Sequence, residues 1–240
     1  MKWMMAVMLC TASATAFGQA SAAKVPDLSG FWERKDEFGG GNFGGTLARI
    51  PKASVKPEIE EQARQLAAAQ VRGEVVSFNS KWCVTNLFPF FMQHSAAWNI
   101  AQSKDEILLA PEVHTFPRHV YLDGRKHPDA DRLQRSNNGH SIGHWEGETL
   151  VVDTVGFTGG GNTPGGGKVG PGTRLTERIK LVDGGKILSV TFTWEDPAIY
   201  LKPHTYEMTY HRSEPGTYAF EEYCHADDAA QSGSVSNYQK

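Results

Sequence analysis

Five histidines lie between positions 114 and 144 and hold most of this chain's capacity to move a proton near neutral pH. The run Gly139-His140-Ser141-Ile142-Gly143-His144-Trp145 leads through Glu146-Gly147 into Thr149-Leu150-Val151-Val152-Asp153-Thr154, a hairpin pattern in which one strand carries ionisable groups in place of an apolar stripe. Alternate side chains of a strand share a face, so His140, Ile142 and His144 lie on one side and Ser141, Gly143 and Trp145 on the other. With the imidazole face turned inward to a cavity, His140 and His144 are candidates for proton donor and acceptor, with His114 as an alternate. Arg118 or Arg125 is then placed to stabilise developing negative charge. Trp145, Trp194, Tyr121 and Tyr206 are candidate walls for a flat or hydrophobic molecule.

Each of these residues also has a plain structural use. Single histidines decorate exteriors, Asp123-Gly124 is the preferred two-residue hairpin turn, and Arg118 and Arg125 could pair internally with Glu146, Asp153 or Glu177. At a rise of about 3.3 Å per residue, His140 and His144 stand roughly 13 Å apart along a strand, too far to share one metal ion. A metal would need His114, His119, His127 or Asp153 from neighbouring strands, at spacings that match no zinc signature. No metal ligand is assigned and no cofactor is expected. Adjacent Ser141 and His140 point to opposite faces, which excludes a catalytic triad built on them. Phosphate-cradling loops, dinucleotide fingerprints and nucleophile elbows are missing from the sequence.

The elements that must position these groups are mostly short strands. A period of two, punctuated by Ser103-Lys104-Asp105, Asp123-Gly124, Glu146-Gly147, Asp183-Gly184-Gly185 and Glu195-Asp196-Pro197, predicts strands over 98–102, 106–109, 117–122, 140–145, 149–154, 175–181, 186–194, 204–212 and 218–224. An earlier strand begins at Gly30-Phe31-Trp32. One helix is predicted over 56–71, with Ile59, Ala63, Leu66, Ala67 and Val71 at helical spacing, Pro57 in the first turn and Gly73 beyond the end. So many consecutive antiparallel strands are best served by closing into an up-and-down barrel, which removes exposed edges. The Gly-rich stretch 159–172 reads as a flexible loop, either a lid or untethered surface.

Residues 1–20 have one Lys, an apolar run and a small-residue end at Gly18-Gln19-Ala20, the form of a secretory signal, so the mature domain is expected over 21–240, exported to the periplasm or beyond. No later stretch approaches the roughly 20 apolar residues of a membrane-spanning helix. Without Lys2 the chain carries 23 basic and 27 acidic side chains and no basic cluster, which disfavours nucleic acid. Cys83 and Cys224 are the cysteines left after the signal, and an even pair in an oxidising compartment predicts a disulfide.

The Gly-x-Trp entry, single helix and meander resemble the lipocalin-like, or calycin, architecture. The runs Tyr121-Leu122-Asp123-Gly124-Arg125-Lys126-His127-Pro128, Gly139 to Thr154, Leu175-Thr176-Glu177-Arg178, Asp196-Pro197 and Glu222-Tyr223-Cys224 look like a large family of exported bacterial proteins, a resemblance that brings no reaction with it. The chain departs from that pattern in its 159–172 loop and at Arg174. These readings predict an exported, all-β, lipocalin-like enzyme performing cofactor-free acid–base chemistry, as a lyase, isomerase or hydrolase, on a small aromatic or cyclic molecule. A non-catalytic carrier of a hydrophobic ligand and a His-ligated metalloprotein are the alternatives.

Overall fold

A computed structural model describes residues 25–34, 50–74, 92, 97–111, 116–158 and 163–217. The signal segment, His114, the Cys83–Cys224 pair and the strand expected at 218–224 lie outside the described residues. Nine strands close into a barrel in chain order: β1 (Gly30–Glu33), β2 (Trp98–Gln102), β3 (Glu106–Pro111), β4 (Arg118–Tyr121), β5 (His140–Glu146), β6 (Thr149–Val155), β7 (Arg174–Val182), β8 (Ile187–Glu195) and β9 (His204–Arg212). The barrel closes where β1 meets β9, through Trp32 opposite Arg212 and Glu33 opposite His211.

The wall is not the simple meander that the turn signals suggest. β4 and β5 run parallel, with Val120 opposite Ser141 and Tyr121 opposite Ile142, while the other neighbours are antiparallel. Asp123-Gly124 is therefore not a hairpin turn. It opens a long crossover, residues 122–139, that carries the chain back to the start of a strand running the same way, as any parallel pair requires. Asp123 keeps the local role of a turn residue, its Oδ1 accepting from the Arg125 backbone N–H at 3.2 Å. By contrast Gly147, at φ +60°, makes the tight two-residue β5–β6 hairpin that its sequence announces.

Alternation sorts the wall. Along β9, His204, Tyr206, Met208 and Tyr210 are buried and the residues between them exposed. Ser141, Thr154, Leu175, Trp194 and His204 are register partners on successive strands β5 to β9 and are all buried, forming one inward rung near one end of the barrel. Aromatic side chains fill much of the inner face: Trp98 meets Tyr210 edge-on at 5.0 Å, and Phe192 stacks on Tyr206 at 5.2 Å.

The helix, α1 (Pro57–Val71), starts on Pro57 with Glu58 and Glu60 in its first turn, where the helix dipole favours acids. It stops in a Schellman motif, Gly73 at φ +71° letting the Glu74 N–H reach the Ala69 carbonyl. Ile59, Ala63 and Leu66 are half-buried as expected, but Ala67 and Val71 are exposed, so the expected apolar face is covered only in part.

The described part of the Gly-rich stretch, residues 163–172, is neither a lid nor untethered. Thr163 Oγ1 donates to the Gly167 carbonyl, Tyr200 Oη donates to the Pro164 carbonyl, and Val169 is buried. Its glycines serve close approach: a Cβ on Gly165, which has φ +97°, would stand 2.7 Å from Val55 Cγ1 and 3.0 Å from the Ala53 Cβ. Gly165→Ala should therefore lower unfolding stability by about 1–3 kcal/mol in urea melts. An unchanged midpoint would show that the strap is loose.

Candidate functional site

After Leu122, which still packs against the core, the crossover brings His127 against the outward faces of β5 and β6. His127 Nε2 lies 3.1 Å from Asp153 Oδ2, and His127 Nδ1 lies 2.8 Å from His140 Nδ1. Arg174 on β7 donates to both oxygens of Asp153, from Nε at 2.7 Å and from Nη2 at 2.6 Å. His127 and Asp153 are 18% and 20% exposed, sheltered enough for their contacts to be only partly screened. At its other flank His140 meets the Tyr121 ring at 5.6 Å, and the Arg125 guanidinium lies 3.8 Å from the Tyr121 ring centre, held in place by Asp123.

These contacts order the protons. Asp153, gripped by a guanidinium, acts as acceptor, so His127 donates through Nε2–H. The two facing Nδ1 atoms can share only one proton, and a neutral His127 accepts it from His140 Nδ1–H. His140 Nε2 is then an unprotonated nitrogen, and among the described residues no hydrogen bond engages it. Burial first, then the electrostatic influence of the neighbouring His127 and Arg125, lower the pKa of His140 below its usual value, which favours the neutral, proton-accepting ring at pH 7. A proton taken up at Nε2 can be matched by transfer of the Nδ1 proton to His127, leaving the positive charge beside Asp153.

The expectation that the imidazoles of β5 face inward is overturned. Ser141 is fully buried and Trp145 packs against the core, whereas His140 is half-buried on the outside and the His144 side chain is 66% exposed. The faces alternate as predicted, but the sense is reversed, because Ser141 and the small Gly143 suit the crowded interior, where a Cβ on Gly143 would already meet Leu122 at 2.9 Å. His144 joins the Glu146–Arg178 surface pairs and takes no part in the cluster. His119 pairs with Glu106 at 2.6 Å and stacks on Tyr121.

The two arginines part company. Arg125 is at the outer cluster, while Arg118 is inside the barrel and 1% exposed, where it takes the internal salt bridge that was its structural alternative. Its Nη1 and Nη2 engage the buried Glu177 carboxylate, Nη2 also reaches Thr154 Oγ1 at 2.8 Å, and Nε donates to Ser141 Oγ at 3.1 Å. Of the four candidate wall residues, Tyr121 faces out beside His140. Trp194, Tyr206 and Trp145 face in, with the Trp194 indole N–H donating to Tyr206 Oη at 3.1 Å. Burial raises the Tyr206 pKa well above its normal value, so its hydroxyl is no base at neutral pH. The outer imidazoles and inner aromatics are thus on opposite sides of one wall.

No protein-family model matches the chain, and no curated protein matches it in sequence.

Sequence reasoning missed the pairing of His127 with Asp153 and His140. Asp153 opposite Ile142 on the outward phase of a paired strand was the available signal, but the position of His127 depends on a crossover that the turn residues disguised as a hairpin. Among the described residues, no group of three or more His, Cys, Asp or Glu side chains could hold a metal ion. No helix among them is long and apolar enough to cross a membrane. A recess of about 420 Å³ lined by Gly30, Phe31, Asn99 and residues 212–217 opens at the other end of the barrel and gathers none of the candidate residues.

Proposed function

We propose that the protein is an exported small-molecule enzyme performing cofactor-free acid–base chemistry, as a lyase, isomerase or hydrolase, on an aromatic or cyclic substrate. The observation that carries this reading is the Asp153–His127–His140 chain ending in an unengaged Nε2. His140 is the general base and, once protonated, the general acid. His127 receives the displaced proton, and Asp153 stabilises the imidazolium that forms. Arg125, beside Tyr121, supplies a cation for an enolate, phenolate or oxyanion, and the Tyr121 ring offers a stacking face. His144, first a candidate partner for His140, has no place in this scheme, and Arg118 serves the fold.

The test is Asp153→Asn, assayed on a substrate found by screening aromatic and cyclic esters, lactones and enolisable ketones. Turnover should fall about ten- to a hundredfold, the worth of one hydrogen bond to a charged group, with KM little changed. Full turnover in Asp153→Asn would remove the relay from the mechanism. A carrier role is the second reading, favoured by the inward placement of Trp194 and Tyr206, away from His127 and His140. It predicts that a copurifying hydrophobic molecule, identified by mass spectrometry, is bound and returned unchanged.

A further inference from the structure

The parallel β4–β5 pair sets His119, which the relay does not use, beside His140. Val120 stands opposite Ser141, and the same register one residue back pairs His119 with His140, their Cα atoms about 5 Å apart, as neighbouring strands are spaced. Val120 and Ser141 are buried, so alternation turns both imidazoles to the outer face. Both rings also lie against Tyr121, at 6.2 Å and 5.6 Å between ring centres. The His119 side chain is 52% exposed, so a small molecule arriving from solvent has room to lie against the two histidines together.

The two rings hold their protons in opposite ways. Glu106 Oε1 on β3 lies 2.6 Å from His119 Nδ1, and an ionised carboxylate only accepts, so His119 donates there through Nδ1–H. Among the described residues no hydrogen bond engages His119 Nε2, and in the imidazolium form that nitrogen carries a proton it can give away. His140 Nε2, by contrast, presents a lone pair. Each ring has a carboxylate of its own, Glu106 directly for His119 and Asp153 through His127 for His140.

Building on the relay reading, on which it rests, we propose that His119 is the general acid complementing the His140 base, and that the site acts on carbonyl compounds with an oxygen leaving group on the β carbon. His140 Nε2 takes the proton from the α carbon, and that C–H electron pair becomes the new C=C bond. The β C–O bond breaks with its pair going to oxygen, and His119 Nε2–H protonates the departing alcohol. One proton returned from His140 to His119 through water restores both rings. Isomerisation can recycle a single proton on a single base, whereas elimination takes one proton and delivers another at a different atom, which two oppositely protonated rings provide. Both rings project from one face of the sheet, so proton and leaving group depart on the same side of the substrate, a syn elimination.

The test follows phenol release from the 4-nitrophenyl and 4-methoxyphenyl ethers of 4-hydroxybutan-2-one, which differ in how much the leaving oxygen needs a proton. The unsubstituted protein should eliminate both. His119→Gln should slow methoxyphenol release about a hundredfold more than nitrophenol release, the worth of a general acid felt only where the leaving group is basic. Glu106→Gln should move the ratio in the same direction, and His140→Gln should slow both ethers alike. No release of either phenol by the unsubstituted protein would overturn the proposal. An unchanged ratio in His119→Gln beside loss of both releases in His140→Gln and Asp153→Asn would overturn it while leaving the relay in place, whereas full release in all three variants would overturn both.

Discussion

Replacing Arg118 with Ala should lower the unfolding free energy by about 3–5 kcal/mol, because it leaves the Glu177 carboxylate charged, buried and without its partner. The geometry gives this residue more than an average share of the wall. β7 and β8 share nine register partners and β5 and β6 share seven, but β4 and β5 share only two. Arg118, rooted in β4, is bonded to Ser141 on β5, Thr154 on β6 and Glu177 on β7, so one side chain draws three strands across the most thinly paired junction on that side. Chemical unfolding of Arg118→Ala should show the drop, and hydrogen exchange should show β4 and the start of β5 opening first. The double variant Arg118→Met, Glu177→Leu removes both charges together and should recover most of the loss. A double variant as weak as the single would mean that the hydrogen bonds to Ser141 and Thr154, rather than the stranded charge, hold the junction.

His140→Gln should reduce turnover by about 10²- to 10⁴-fold, the usual contribution of a positioned general base, while leaving the melting temperature nearly unchanged, since the ring lies on the outer wall. His144→Gln should stay within about twofold of the parent, as expected of an exposed residue outside the relay. The pH dependence carries a sign. Because the pKa of His140 is lowered, the ring stays unprotonated as pH falls through about 6.5, the ordinary value, and the acid limb of log(kcat/KM) should begin below that point. An acid limb at or above 6.5, or equal losses in the two glutamine variants, would point away from His140 as the base.

Most of the strands were legible because their periodicity is local. The observed bounds of β5, β6, β8 and β9 fall within about one residue of those read from alternating side chains and turn residues. The parallel β4–β5 pair was not legible, since Asp123-Gly124 is equally at home in a hairpin and at the head of a crossover, and choosing between them needs the partner strand. The same ambiguity hid the direction of the imidazoles. Period-two spacing tells which residues share a face, but Ser141 and Trp145 make as reasonable an exterior as His140 and His144 until Arg118 is known to need the Ser141 hydroxyl inside. Pairwise chemistry across the wall, such as Arg118 with Glu177, was readable only as one option among several.

The parallel pair has one more effect, on how this barrel could change over evolutionary time. A tight hairpin fixes the register of the strands it joins, so lengthening it by a residue disturbs both. Residues 123–135 carry less of that burden, because the backbone pairing of the crossover lies at its two ends, Leu122 N–H to the Asp105 carbonyl and the Ser136–Phe157 bridge, and the span between them belongs to none of the strands. That stretch can gain or lose residues, and with them the imidazole, guanidinium and carboxylate it presents, while the chassis beneath stays the same. Diversity of substrate among descendants of this barrel should accordingly collect in that one ribbon.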